Sequence, residues 1–138
     1  MIRRLSIRAL VAAAAVAIAV SACIRGQEEL IAKRAAIDFH DRWGKSQFGA
    51  IYAESDFGFR HAETASRFIG RMKAQRDSLG AIVKTQLTGA AGEMDEKGSV
   101  VVKQEFQTEF ERGRAVEQLS WRVKPGSDDA RLLSYRLR

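Results

Sequence analysis

Residues 99–124, SVVVKQEFQTEFERGRAVEQLSWRVK, decide the fold. From Ser99 to Phe110, Val100, Val102, Phe106 and Phe110 recur in phase, while Val101, Lys103, Glu105, Gln107 and Glu109 fill the alternate positions. That period of two belongs to a strand with one covered face. Glu111-Arg112-Gly113-Arg114 reads as a tight hairpin connection, and Ala115 to Lys124 alternates again, with Ala115, Leu119, Trp121 and Val123 inward. Downstream, Pro125-Gly126-Ser127-Asp128 is a turn, and Arg131 to Arg138 is predicted as a closing strand with Leu133, Tyr135 and Leu137 inward. Upstream, Ala81 to Thr88 reads as a β-rich segment, followed by a glycine-bearing acidic loop over Gly89 to Gly98. Four antiparallel strands result.

Before Gly80 the period is helical. Leu30 to Lys45 places Ile31, Ala32, Ala35, Ala36, Phe39 and Trp43 on one stripe, with Leu30 and Ile37 opposite, which predicts a helix covered on two sides. Phe48 to Tyr52 is a brief second helix, after which Ser55, Asp56 and Gly58 punctuate the chain. Thr64 is a good N-cap for a third helix from Ala65 to Leu79, with Phe68, Met72, Gln75 and Leu79 inward and Gly80 at its C-terminal end. Helices first and antiparallel strands after make a single α+β domain over residues 30–138, its sheet needing a helical cover on one face.

The N-terminus has a different composition. Arg3, Arg4 and Arg8 precede an apolar run from Ala9 to Val20, then Ser21, Ala22 and the only cysteine, Cys23. A basic start, a short apolar run and small residues form a secretory signal, and the run is shorter than the ~20 residues of a comfortable membrane span. An uncleaved anchor or a buried alanine-rich helix is the competing reading. Val20-Ser21-Ala22-Cys23 resembles the bacterial lipobox. That resemblance implies thioether acylation of Cys23, cleavage before it, and anchoring by acyl chains in the membrane; an ordinary secreted protein cut after Ala22 is the alternative. Ile24, rather than Asp, after the cysteine resembles lipoproteins sorted to the outer membrane, facing the periplasm. Residues 1–22 are then signal and 23–29 a short polar tether.

The 138 residues carry 23 Lys+Arg against 17 Asp+Glu, a net charge of +6. Without the first 22 residues and their three arginines, 116 residues remain with 20 basic groups against 17 acidic, or +3. Interspersed charges and an export signal argue against nucleic-acid binding. One cysteine closes no internal disulfide. His40 and His61 lack partners at ligand spacing, so neither a metal nor another cofactor is expected. No G-x-S-x-G, Walker loop, dinucleotide fingerprint or H-E-x-x-H occurs.

Three stretches look like a known group: Phe39-His40 to Trp43 with Ile51-Tyr52 and Phe59-Arg60; Phe68 to Leu79-Gly80; and Gln107 to Gly113 with Glu117 to Arg122. They resemble small bacterial lipoproteins and secreted domains, without a defined activity, in the nuclear-transport-factor-2-like superfamily, whose cone-shaped fold also serves ketosteroid isomerase. The resemblance covers most of Lys33 to Leu137. It implies a curved sheet around helices, often with a pocket at the open end, and frequent dimerisation through the sheet.

Glu117 is in phase with Ala115, Leu119 and Trp121, which puts a carboxylate on the apolar face. An unpaired buried charge is costly, so the group must be paired, protonated or at a pocket mouth. Arg60 and Arg42 are candidate partners for a structural ion pair. Gln104 is in phase with Val102 and Phe106, as a hydrogen-bonded core group. A pocket acid at Glu117, with Tyr52 or Tyr135 as oxyanion donor and Gln104 and Trp121 nearby, would suit isomerase or lyase chemistry. No catalytic residue is assigned on sequence alone. The sequence reads more readily as an envelope domain binding a ligand, a protein partner or a second copy. Its polar outer sheet face disfavours a large sheet-to-sheet dimer.

Overall fold

A computed structural model describes residues 7–138, with side chains from residue 26 onward. Arg3 and Arg4 therefore lie outside the described residues, as do the side chains of Arg8, the apolar run and Cys23. Four helices precede four strands: α1 (Ile7–Gly44), α2 (Phe48–Ala53), α3 (Phe57–Ala62), α4 (Ala65–Leu79), β1 (Ile82–Met94), β2 (Val100–Phe110), β3 (Gly113–Val123) and β4 (Ala130–Leu137). The strands form an antiparallel meander in the order β1-β2-β3-β4. Helices followed by an open four-stranded antiparallel sheet make the domain α+β.

Helix α1 runs unbroken through residues 23–29, where a polar tether is predicted. The segment has no proline, Gln27, Glu28 and Glu29 are good helix formers, and Gly26 alone costs about 1 kcal/mol. Among the described residues no helix is long and apolar enough to cross a membrane. The helix ends in a Schellman-type closure. Gln47 N–H donates to the Arg42 carbonyl and Ser46 N–H to that of Trp43, with Ser46 in the left-handed region at φ 58°.

The stripe Ala32, Ala36, Phe39 and Trp43 is buried against β2, β3 and β4, where Phe106, Phe110, Trp121, Leu132 and Tyr135 complete the core. Phe48, Ile51, Phe68 and Met72 extend it between α2 and α4. The second covered side predicted for this helix is not found: Leu30 and Ile37 are exposed. The sheet and α2 cover one side of the helix, and among the described residues nothing buries Leu30 or Ile37 on the other.

Helix α3 occupies the stretch read as punctuation. Asp56 is its N-cap, accepting from Gly58 N–H, so the Ser/Asp/Gly cluster starts a helix rather than a loop. Thr64 caps α4 through Arg67 N–H, as its sequence predicts. At the other end, Arg112 donates to the Asp77 and Ser78 carbonyls, tying the last turn of α4 to the β2–β3 connection. Strand β1 runs on to Met94 through residues predicted as loop, and the β1–β2 turn contracts around Asp95, which accepts from Lys97 and Ser99 N–H. In β4 a bulge at the Ser120/Trp121 register shift lets Leu132 face Trp121 and Tyr135 face Leu119. Leu133 falls out of phase and is half-buried, so Leu132 takes the core position predicted for it.

Candidate functional site

The centre of the inner sheet face is polar. Glu117 stands opposite Phe106 on β2 and Leu137 on β4, and is 1% exposed. Strand alternation alone puts it there, since Leu119 and Trp121, two and four residues on, are core. Three donors converge on its carboxylate. His40 Nε2 lies 3.0 Å from Oε1, Thr108 Oγ1 also donates to Oε1, and the Tyr135 hydroxyl donates to Oε2 at 3.0 Å. Each donor comes from a different element: α1, β2 and β4.

Burial by itself would raise the Glu117 pKa. The hydrogen bond and charge of His40, then the hydroxyls of Thr108 and Tyr135, outweigh it and hold the carboxyl below its ordinary value. The Tyr135 phenol moves the other way: burial first, then the adjacent carboxylate, push it above the usual tyrosine range. Ionised Glu117 only accepts, so Nε2 of His40 carries the proton. The imidazole edge also meets Phe106, with ring centroids 5.1 Å apart, and its side chain is 11% exposed. Chemically this is an oriented imidazole on a carboxylate, with both carboxylate oxygens already occupied.

The other candidate residues separate into two groups. Gln104 Oε1 accepts from Trp121 Nε1 at 2.8 Å, a buried pair satisfied within the core. Tyr52 is not near Glu117 in the hydrogen-bond network: its hydroxyl lies 2.7 Å from the Glu63 carbonyl and 3.1 Å from that of Arg60, fixing the end of α3. Of the two tyrosines, Tyr135 alone joins the acid. Neither arginine proposed as partner does so. Arg42 pairs with Asp38 and Glu54, and Arg60 reaches the Ala53 carbonyl. His40, set aside for want of a ligand-spaced partner, takes that place. Its helical position beside Phe39 was visible in sequence, but its pairing depends on where α1 crosses β2 and β3. His61 stacks on exposed Phe57 instead. Among the described residues no three His, Cys, Asp or Glu side chains converge as a metal site.

Asp56, which the sequence presents as punctuation, is a second buried acid. Asp56 binds Arg122 through both carboxylate oxygens, at 2.9 and 3.0 Å, and Arg122 Nε lies 3.6 Å from Asp95. This joins the start of α3, β3 and the β1–β2 turn. The signal was present: Asp56 two residues before Gly58 is an N-cap pattern.

A cleft of about 480 Å³ opens between α1, α2 and the start of β4. Phe39, Trp121, Ile51 and Leu132 supply apolar walls, and Arg34, Asp38, Arg42, Glu54, Asp129 and Arg131 a charged rim. Much of that rim is internally paired: Arg42 with Asp38 and Glu54, Arg131 with Asp129. Phe39 lines the cleft and its ring meets Tyr135 at 5.0 Å, but neither Tyr135 nor Glu117 lines it.

No family model matches the chain, and a search of curated proteins finds no match.

Proposed function

We propose that this chain is a lipid-anchored cell-envelope binding domain, held at the membrane through Cys23, whose working surfaces lie outside its core. The observation that carries the binding half is the enclosure of Glu117. A carboxylate that is 1% exposed, already accepts from His40, Thr108 and Tyr135, and does not line the cleft beside α1 is closed off from a substrate. General-base work needs the carboxylate within hydrogen-bond reach of a substrate. An accessible cleft lies instead beside α1, with apolar walls and a paired charged rim, which suits a ligand having an apolar body and polar ends.

The anchoring half rests on the sequence: a basic start, the short apolar run, and Val20-Ser21-Ala22-Cys23 with the only thiol of the chain. Several acyl chains on one residue exceed the two-signal threshold for stable attachment, at ~0.8 kcal/mol per buried CH₂. The sorting reading places the anchor in the outer membrane, facing the periplasm. The likeness to the nuclear-transport-factor-2-like superfamily is part of this proposal. The helix-then-meander order and the aromatic core are consistent with its cone.

Mass spectrometry of the mature N-terminus tests the anchor. The expected species begins at an acylated Cys23, and Cys23→Ser moves the protein out of the membrane fraction. A mature chain with an unmodified Cys23, or an uncut signal, overturns it. The isomerase or lyase reading keeps one observation in its favour, the Glu117–Tyr135 contact. That reading requires the core to open far enough for a ligand to reach Glu117, which is 1% exposed.

A further inference from the structure

The sheet has two edges, and they are treated differently. At β4, the Asp56 N–H donates to the Leu132 carbonyl at 2.8 Å and α3 packs alongside. Strand β1 pairs only with β2, runs for 13 residues and is exposed along most of its length on both faces. An open edge offers its unpaired N–H and C=O groups to another strand.

We propose that β1 pairs with β1 of a second copy of this chain, antiparallel about a two-fold axis between Thr88 and Gly89, joining two sheets into one of eight strands. A two-fold interface requires that residue i meet j and that j meet i. The β1 sequence satisfies this about that axis. Lys84 meets Glu93 twice, Gln86 meets Ala91, Leu87 meets Ala90, and Val83 lies beside Met94.

The faces agree as well, and for a structural reason. In a regular strand, residues 84 and 93 differ by an odd number and point to opposite faces. The irregularity between Leu87 and Gly89 reverses the phase. Lys84 stands beside Glu109 and Glu93 beside Val101, both outer positions of β2, so Lys84 and Glu93 share the outer face. Thr85 and Gly92 stand beside Thr108 and Val102, both inner. The bulge thus makes the edge self-complementary.

Charge selects this arrangement over its rival. Parallel in-register pairing would set Lys84 against Lys84 and Glu93 against Glu93; the antiparallel form opposes unlike charges. Lys84 makes no ion pair among the described residues, and Glu93 has only a 3.9 Å contact with Lys103. Val83 and Met94, both mostly exposed, gain apolar cover at the two ends. The axis runs normal to the sheet, so both copies carry α1 on the same face. This inference is independent of anchoring and of the cleft.

The test is the association state of the full chain in detergent micelles, by sedimentation equilibrium and native mass spectrometry. The wild type is expected to dimerise. Lys84→Glu and Glu93→Lys, both at exposed positions, each place like charges opposite one another twice and weaken the dimer about tenfold or more. The doubly exchanged chain, K84E with E93K, regains wild-type association, and mixing the two single variants yields heterodimers. A monomeric wild type overturns the proposal. So does a dimer indifferent to both charges, which would mark another surface or the acyl chains, or a double variant that stays as weak as the singles.

Discussion

Strands β1 and β3 lie in the same sheet, one strand apart, and their fates differ. On β3, Glu117, Leu119, Trp121 and Val123 are all buried; on β1, the inward positions Leu87 and Met94 remain accessible. Both strands alternate, although β1 breaks its phase at Ile82/Lys84 and Leu87/Gly89. What differs is cover: Ala36, Phe39 and Trp43 of α1 are buried in the core with the central strands, while on β1 Ile82 packs only partly buried against that core and Leu87 and Met94 stay exposed. A buried charge on the covered side has to be met internally, as Glu117 is by three donors. The uncovered strand has no such constraint and carries charges, small residues and free backbone groups.

The largest effect expected from breaking this contrast is at Glu117. Glu117→Ala removes the common acceptor of His40, Thr108 and Tyr135 and leaves buried donors unpaired, so about 3–5 kcal/mol of stability is lost. Urea denaturation followed by circular dichroism measures it. A loss below about 1 kcal/mol would mean that the donors find water and that the covered face is open. Acid sharpens the same point. The folded pKa of Glu117 lies below its ordinary 4.5. Its contribution is therefore complete above that value and drains away as pH falls through the folded pKa. The stability difference between wild type and Glu117→Gln should be constant near neutrality and shrink below about pH 4.5. A difference that grows in acid would reverse the assigned direction.

The same contrast explains what the sequence could and could not disclose. Alternation from Ser99 to Val123 names both central strands and their inner faces, because each is covered on one side and polar on the other. It also places Glu117 and Gln104 inside. It cannot name His40 as the acid's partner, because that pairing depends on the crossing of α1 over β2 and β3, 77 residues away in the chain. On β1 the alternation fades for lack of cover, and Gly89 to Met94 reads as loop although it is strand. Leu133 is misplaced because a bulge costs the sequence no visible signal. The same limit applies to Leu30 and Ile37: apolar residues opposite the core stripe show that a helix can be covered twice, not that a second cover exists.

At the junction of the two regions Gly80 ends α4 just ahead of β1, at φ 78°. A Cβ there would lie 2.7 Å from Glu111 Oε2 and 2.9 Å from Glu111 Cβ. Gly80→Ala therefore combines left-handed strain with a clash and should cost about 2 kcal/mol. Adding Glu111→Ala removes the carboxylate from that clash but leaves the Cβ contact and the strain, so it should return part of that loss, read as a shift in thermal midpoint. Full recovery would assign the whole cost to the clash and none to the backbone.

The smallest expected effect is the most direct test of the comparison, because it holds side-chain type and sheet face constant. Leu119 on β3 and Leu87 on β1 both point inward, but they are 1% and 37% exposed. Leu119→Ala empties a closed site and should cost about 2–5 kcal/mol, transfer and cavity together. Leu87→Ala leaves no enclosed cavity, and only part of its apolar surface is withdrawn from water. At roughly 25 cal/mol per Å² of apolar surface, and measured at dilution where the chain is monomeric, its cost should stay under about 1 kcal/mol. Equal losses at the two sites would mean that β1 is covered in solution as β3 is, by this chain or by another. Repeating the Leu87→Ala measurement across protein concentrations separates those cases. A cost that rises with concentration locates the cover on a second copy, because Leu87 then lies beside Ala90 of that copy.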